Sequence, residues 1–172
     1  MCVFAHYAAD NRLGAGVIHQ LHFLCPHAQV IFVTQSVLSA EDQATLGRYC
    51  AVVIRIARDV LGRDFTSYQA GVRYLLSDHR LQQTQWLWLV NDSFYGPFCT
   101  MDRWTREIQG AEQSRAAAWG LTNSFQRTYH IQSYFVAMNS TVFKSERFRH
   151  FMAKPWSRGR VIERGELALF RE

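Results

Sequence analysis

Apolar residues fall in short blocks along this chain, and each block stops at a polar group or a Gly/Pro turn. The clearest is Trp86-Leu87-Trp88-Leu89-Val90, which has the length and continuity of a buried strand. It ends at Asn91-Asp92-Ser93, with Gly96-Pro97 just beyond. Similar blocks at residues 2–6, 29–33 and 51–56 read as three earlier strands, the last rich in β-branched side chains. Residues 116–121 and 133–139 read as two later ones. Between them the pattern turns helical: 15–24, closed by Pro26; a helix capped by Ser39 and running to about residue 49; then 65–78, 101–109 and 140–152. Glu41 and Asp42 follow the Ser39 cap, where a helix dipole favours negative charge.

Strands that alternate with helices imply parallel pairing through right-handed crossovers. The later strands, with longer loops between them, point to a mixed edge. The expected architecture is a three-layer α/β/α sandwich around a mostly parallel mixed sheet. No repeat, low-complexity tract or linker interrupts the chain, so residues 1–172 are expected to form a single domain.

Composition narrows the class. A 48% hydrophobic content excludes a disordered chain, and no apolar run reaches the ~20 residues that span a bilayer. The amino-terminal segment lacks the basic flank and small-residue cleavage pattern of a signal peptide. Cys2, Cys25, Cys50 and Cys99 form no CxxC pair, which argues against zinc and redox motifs and fits a reduced, cytoplasmic compartment. The net charge of +5 is uneven: residues 144–160 hold six Lys or Arg against Glu146 alone. A solvated helix face explains such a run, and so does attraction to an anionic partner such as a phosphate-bearing acceptor or the inner face of a membrane. No nucleic-acid-binding motif accompanies the patch, so nucleic acid is not an expected partner.

Candidate chemistry collects at strand ends, where open α/β sheets bind ligands. His6 and Tyr7 end the first strand; an aromatic there can stack on a base, and both can equally be core residues. The third strand leads to Gly62-Arg63-Asp64. Gly62 suits a tight turn with positive φ, Arg63 offers a guanidinium fork for a diphosphate, and Asp64 can cap the next helix or accept from a base or ribose. Asp92, between Asn91 and Ser93, can hold a divalent cation against phosphates or can form a turn. His130, Gln132 and Ser133 place three hydrogen-bonding side chains before the last strand. His130 can bind phosphate, a metal or a sugar hydroxyl, or serve only structure. Glu163 and Glu166 flank Gly165, and either can act as a general base. The GxGxxG and GxxxxGK[ST] phosphate signatures are missing.

Together, Asn91-Asp92-Ser93 through Gly96-Pro97, His130 to Phe135, Gly62-Arg63-Asp64-Phe65 with Ser67-Tyr68 and Gly71, Trp119 to Thr122, residues 30–38 and Val3 to Tyr7 resemble the rhamnan synthesis protein F family. The resemblance covers roughly residues 2–152. It implies a GT-A type glycosyltransferase that moves a deoxyhexose, L-rhamnose in particular, from a nucleotide-diphosphate donor to a glycan or lipid-linked acceptor of the bacterial cell surface. Under that resemblance Asp92 and His130 are catalytic candidates, with Asp92 also the ligand for Mg²⁺ or Mn²⁺; Glu166, beyond the stretch that the resemblance covers, is the candidate base on the reading of the residues alone. The implied substrate contacts are His6, Tyr7, Gly62, Arg63, Asp64, Tyr68, Asn91, Ser93, Tyr95, Gln132 and Ser133. Two positions depart from the family pattern: Val60 replaces an Asn, and Asn123 replaces an Asp. They leave room for another class of function, a non-catalytic module that binds a nucleotide sugar or glycan and recruits a partner. A hydrolase is disfavoured, because neither a GxSxG elbow nor a Cys–His signature occurs.

Overall fold

The computed structural model describes residues 1–125 and 129–155. Strand β1 (Cys2–His6) leads through helix α1 (Ala15–Leu24) to β2 (Val30–Thr34), and α2 (Ala40–Leu46) connects β2 to β3 (Cys50–Arg55). Helix α3 (Asp64–Ser77) and the short α4 (Arg80–Gln83) then return the chain to β4 (Trp86–Asn91). After α5 (Met101–Gln113) come β5 (Ala118–Gly120), the small pair β6 (Asn123–Ser124) and β7 (His130–Ile131), and β8 (Phe135–Asn139). Helices α6 (Ser140–Phe143) and α7 (Glu146–Ala153) end the described chain.

Six strands form one sheet in the order β3-β2-β1-β4-β8-β5. The first four are parallel; β8 is antiparallel to both β4 and β5. This is the mostly parallel sheet with a mixed edge that the apolar blocks lead one to expect. Every residue of β1 and β2 is buried, as strands covered on both faces require. Their side chains alternate between two cores. Val3, Ala5, Ile31 and Val33 pack with Phe65, Tyr68, Val72 and Leu75 of α3 and with Phe148 and Met152 of α7. Cys2, Phe4, Val30 and Phe32 pack with Val17, Leu21 and Leu24 of α1 and with Trp104 and Ile108 of α5. Helices therefore cover both faces, and the three layers are present. Gly71 lets α3 approach the sheet closely, since a Cβ there would stand 2.3 Å from Val3 Cγ1.

Three local features differ from the sequence expectation. The helix expected over 140–152 breaks because Ser145 caps a new one, its Oγ accepting from the Phe148 N–H at 3.1 Å. Helix α5 continues to Gln113, because a lone Gly110 with open space around it does not end a helix already held by its Trp104 and Ile108 face. The β6–β7 pair is too short to leave a period in the sequence.

One topological feature positions everything below. The chain steps from β1 to β2 to β3 in one direction, then crosses through α3 to set β4 on the other flank of β1. Strand order therefore reverses between β1 and β4, and their carboxyl ends part to leave a crevice.

Candidate functional site

The crevice is bridged by main chain and carboxylate. Tyr7, just past β1, donates its N–H to Asp92 Oδ2, just past β4, at 3.0 Å. Buried Asn91 braces the same turn: its Oδ1 accepts from the Ser93 N–H at 3.0 Å and its Nδ2 donates to Asp64 Oδ2 at 2.6 Å. Asp64 is thus the first residue of α3 and a partner of Asn91, while Arg63 occupies the cap position without a side-chain cap bond. Buried His6 lies beneath, with Nδ1 2.9 Å from Thr34 Oγ1.

The far wall is the segment between β3 and α3, and the sequence builds it from side-chain contacts to its own backbone. Asp59 Oδ1 accepts from the N–H groups of Leu61 and Gly62 at 2.9 and 3.1 Å, and its Oδ2 accepts from Thr66 Oγ1 at 2.6 Å. Those bonds, the Thr66 hydroxyl first, hold the Asp59 carboxyl below its ordinary range. Gln35 fastens the loop to the end of β2. Its Nε2 donates to the Arg63 carbonyl at 2.9 Å and its Oε1 accepts from the Asp59 N–H at 2.8 Å. Gly62 is needed for a different reason from the expected one. Positive φ falls on Arg63, at 48°, whereas Gly62 is pressed so close that a Cβ would lie 2.0 Å from Thr66 Oγ1.

Between these walls lies a cleft of about 360 Å³, lined by Tyr7, Gln35, Arg58, Asp59, Val60, Arg63, Asp64, Asp92 and Ser93. The Arg58 guanidinium sits 4.7 Å from the Tyr7 ring centroid, a cation–π stack on an aromatic floor. Burial pushes the Asp92 carboxyl up to about 6; Asp64 adds to the rise and the Tyr7 N–H offsets part of it. Burial also pushes His6 down to about 4. His6 is therefore neutral near neutral pH, and its 4.0 Å separation from Asp92 is not an ion pair there. Two guanidiniums share this lining with three carboxylates, of which Asp59 is taken up by its own loop, so the cleft offers cations for a diphosphate and Asp64 and Asp92 for a cation or hydroxyl. A larger hollow of about 460 Å³ lies at the opposite, amino-terminal rim beside Met1, Trp86 and Glu112, away from the strand ends where sheets of this kind bind ligands.

Among the described residues no three His, Cys, Asp or Glu side chains cluster to enclose a metal. Asp64 and Asp92 nonetheless fit a looser requirement. Mg²⁺ takes one or two carboxylates and completes its shell with water and phosphate oxygens. The elevated Asp92 carboxyl, beside a second carboxylate, is the kind of group a cation would stabilise.

The remaining candidates are more scattered. His6 lies under the crevice rather than in its lining. Tyr68 is buried in the core, its hydroxyl donating to the Ser133 carbonyl at 3.1 Å. That bond and the Asn91 N–H to Tyr134 carbonyl bond bring residues 133 and 134 to the same rim as Asp92. His130 is buried in β7 opposite Ser124, and Gln132 bonds Thr122 through its backbone; neither lines the cleft. Tyr95 is 88% exposed. Glu163 and Glu166 lie outside the described residues. Gln35, Arg58 and Asp59 were not singled out by the sequence. The polar stop after β2 marked Gln35 only as a strand end, and the Arg58-Asp59 pair carried no periodic signal.

Solved structures share this fold at low identity. The 4-diphosphocytidyl-2C-methyl-D-erythritol synthase structure superposes with a TM-score of 0.50 at 12% identity, over 96% of this chain and 86% of that one. The sandwich is accordingly of the GT-A-like kind. Core-mannan synthase A from Aspergillus fumigatus, in its Mn/GDP form, superposes at only 0.38, also at 12% identity and over 88% and 62% of the two chains, too distant to bear on chemistry. The virulence protein VirA of Vibrio anguillarum is 32% identical over 138 residues, which are 74% of this chain and 40% of VirA. This chain thus spans about 40% of the length of the curated relatives it matches. Residues 30–160 match the family described as rhamnan synthesis protein F, and the chain belongs to that family.

Proposed function

We propose that this chain is a glycosyltransferase domain that binds a nucleotide-diphosphate sugar in the β1/β4 crevice. On this reading it transfers a deoxyhexose, L-rhamnose from a dTDP donor, to a growing cell-surface glycan or its lipid-linked precursor. The observation that carries the reading is the meeting of Arg58, Arg63, Asp64, Asp92 and Tyr7 around one cleft at the strand switch point. Residues 59–64 arrive from β3 and residues 91–93 from β4, so only the fold assembles them.

Each group has a task in such a transfer. Tyr7 provides a face for the nucleobase. Arg58 and Arg63 neutralise charge on the leaving diphosphate, which is the largest electrostatic demand of the reaction. Asp64 and Asp92 would hold Mg²⁺ or Mn²⁺, which supplies further charge neutralisation at the phosphates when bound. Asn91 and the Tyr7 N–H fix the two carboxylates in place. The base that takes the acceptor proton is assigned on sequence grounds to Glu166.

A screen of nucleotide sugars by thermal shift, with and without Mg²⁺ or Mn²⁺, tests the donor half, since a ligand of the folded state raises Tm by mass action. Transfer or donor hydrolysis by the isolated protein tests the chemistry. Donor binding without either would instead support a recruiting module, a reading favoured by Val60 and Asn123, the two departures from the family pattern.

A further inference from the structure

The outer side of α3 bears a second feature that the transferase reading does not use. Residues 69, 72, 73 and 76 recur at helical spacing and face residues 148, 149, 152 and 153 of α7. Between the two helices runs a groove of about 170 Å³. Its floor is apolar: Val72, Leu81, Phe143, Phe148 and Met152. Its lip is Leu76, which is 49% exposed. Gln69 fixes the shape, its Nε2 donating to the carbonyls of Met152 and Lys154 at 2.7 and 2.6 Å.

Cations ring this groove. Arg73 and Arg149 line it, and Lys154 follows at the end of α7. All three are exposed, and none has an acidic partner within ion-pair distance among the described residues. Lys144 stands over the Phe143 ring at 5.7 Å and donates to the Gln82 carbonyl. An apolar slot bordered by cations that have no acidic partner among the described residues is complementary to lipid, with anionic headgroups for the rim and acyl chain for the floor.

We infer that this α3–α7 face docks on an anionic lipid bilayer. Leu76 and the groove take up acyl chain while Arg73, Arg149 and Lys154 meet the headgroups. The cleft stays open in this pose. Asp64 starts α3 and Leu76 lies near its far end, about 18 Å along the axis at 1.5 Å per residue. Docking is independent of transfer chemistry, so failure of one does not imply failure of the other.

The test is co-sedimentation of the full chain with vesicles of phosphatidylcholine alone and of phosphatidylcholine mixed with phosphatidylglycerol. Binding is expected only to the mixed vesicles, and it should vanish at about 1 M salt, where the Debye length falls to about 3 Å. Each cation near such a surface contributes about 1 kcal/mol, so Arg149→Gln with Lys154→Gln should weaken binding about 30-fold. Leu76→Ser should also weaken it, with unchanged circular dichroism. Equal binding to both vesicles, binding to neither, or undiminished binding by the double variant overturns the inference. So does a duplex DNA oligonucleotide held as tightly as the vesicles. A self-associated dimer that Leu76→Ser dissociates would assign the groove to a second copy instead.

Discussion

Replacing Asp92 with Asn should separate stability from activity. The folded protein raises this carboxyl from 3.8 to about 6, chiefly by burial and then by Asp64. A folded-state value above the unfolded one means that protonation favours folding. The contribution is complete below about pH 3.8 and is lost as pH rises through about 6. Two pKa units correspond to about 3 kcal/mol at 1.36 kcal/mol per unit. The side chain is 18% exposed, and solvent there screens part of the cost, so about 1–3 kcal/mol is the expected range. Asn keeps an oxygen for the Tyr7 N–H and drops the charge. The variant should therefore unfold about 2–10 °C higher than the wild type near pH 8, and the two should converge below about pH 4. Thermal unfolding followed by circular dichroism across that range measures the difference. His6 pulls the other way: its value falls from 6.5 to about 4, so its stabilisation is present above 6.5 and fades as pH drops through 4. That term is common to both proteins and cancels in the comparison. The same substitution should abolish sugar transfer, the usual exchange of stability for function at a site. A Tm difference independent of pH, or a less stable variant near pH 8, would refute the burial argument. Full transfer activity would remove Asp92 from the mechanism.

Arg58→Ala and Arg63→Ala should each weaken nucleotide-diphosphate binding by about 10–100-fold in titration calorimetry, the cost of about 1.5–3 kcal/mol for a charge-assisted bond; unchanged affinity would place the diphosphate elsewhere. Gly62→Ala should destabilise the fold by about 1–3 kcal/mol in urea unfolding and loosen donor binding with it, because the new Cβ would force Thr66 off Asp59. Burial pushes the Cys2 and Cys50 thiols up to about 12 and raises Cys25 as well, so a thiol reagent should label half-exposed Cys99 fastest in the native protein, Cys25 and Cys50 more slowly, and fully buried Cys2 only after unfolding.

β1, β2 and β4 were readable because parallel strands covered on both faces have no polar side to interrupt them, while edge strand β3 alternates exposed and half-buried residues and was marked by its β-branched side chains. β1 and α1 have the bounds that their apolar runs imply, and Asn91-Asp92 marks the end of β4 as a polar stop should. The break within 140–152 carried a signal that was available: Ser145 followed by Glu146 has the residue types of a helix start. The cleft wall was not available in the same way. Gln35 reads locally as one more polar residue after a strand. It becomes a clamp only because β2 and β3 lie side by side, which brings the Asp59 and Arg63 backbone within its reach. Arg58 likewise gains its Tyr7 partner from a strand two places away in the sheet.

The acidic pair shows the limit most plainly. Asp64 lies 27 residues from Asn91, whose amide holds it, and no periodic pattern links positions so far apart. They meet because α3 crosses the sheet to place β4 beside β1. The approach of Asp64 adds to the rise that burial imposes on the Asp92 carboxyl, which a sequence chosen for stability alone would avoid. The Asn91 and Tyr7 bonds recover part of that cost. What is left unrecovered is electrostatic strain that a phosphate-bound cation, or a proton, would relieve. A sequence displays its acids individually; the raised Asp92 carboxyl with Asp64 beside it exists only in three dimensions, and it is the feature that turns a strand-end aspartate into a candidate site.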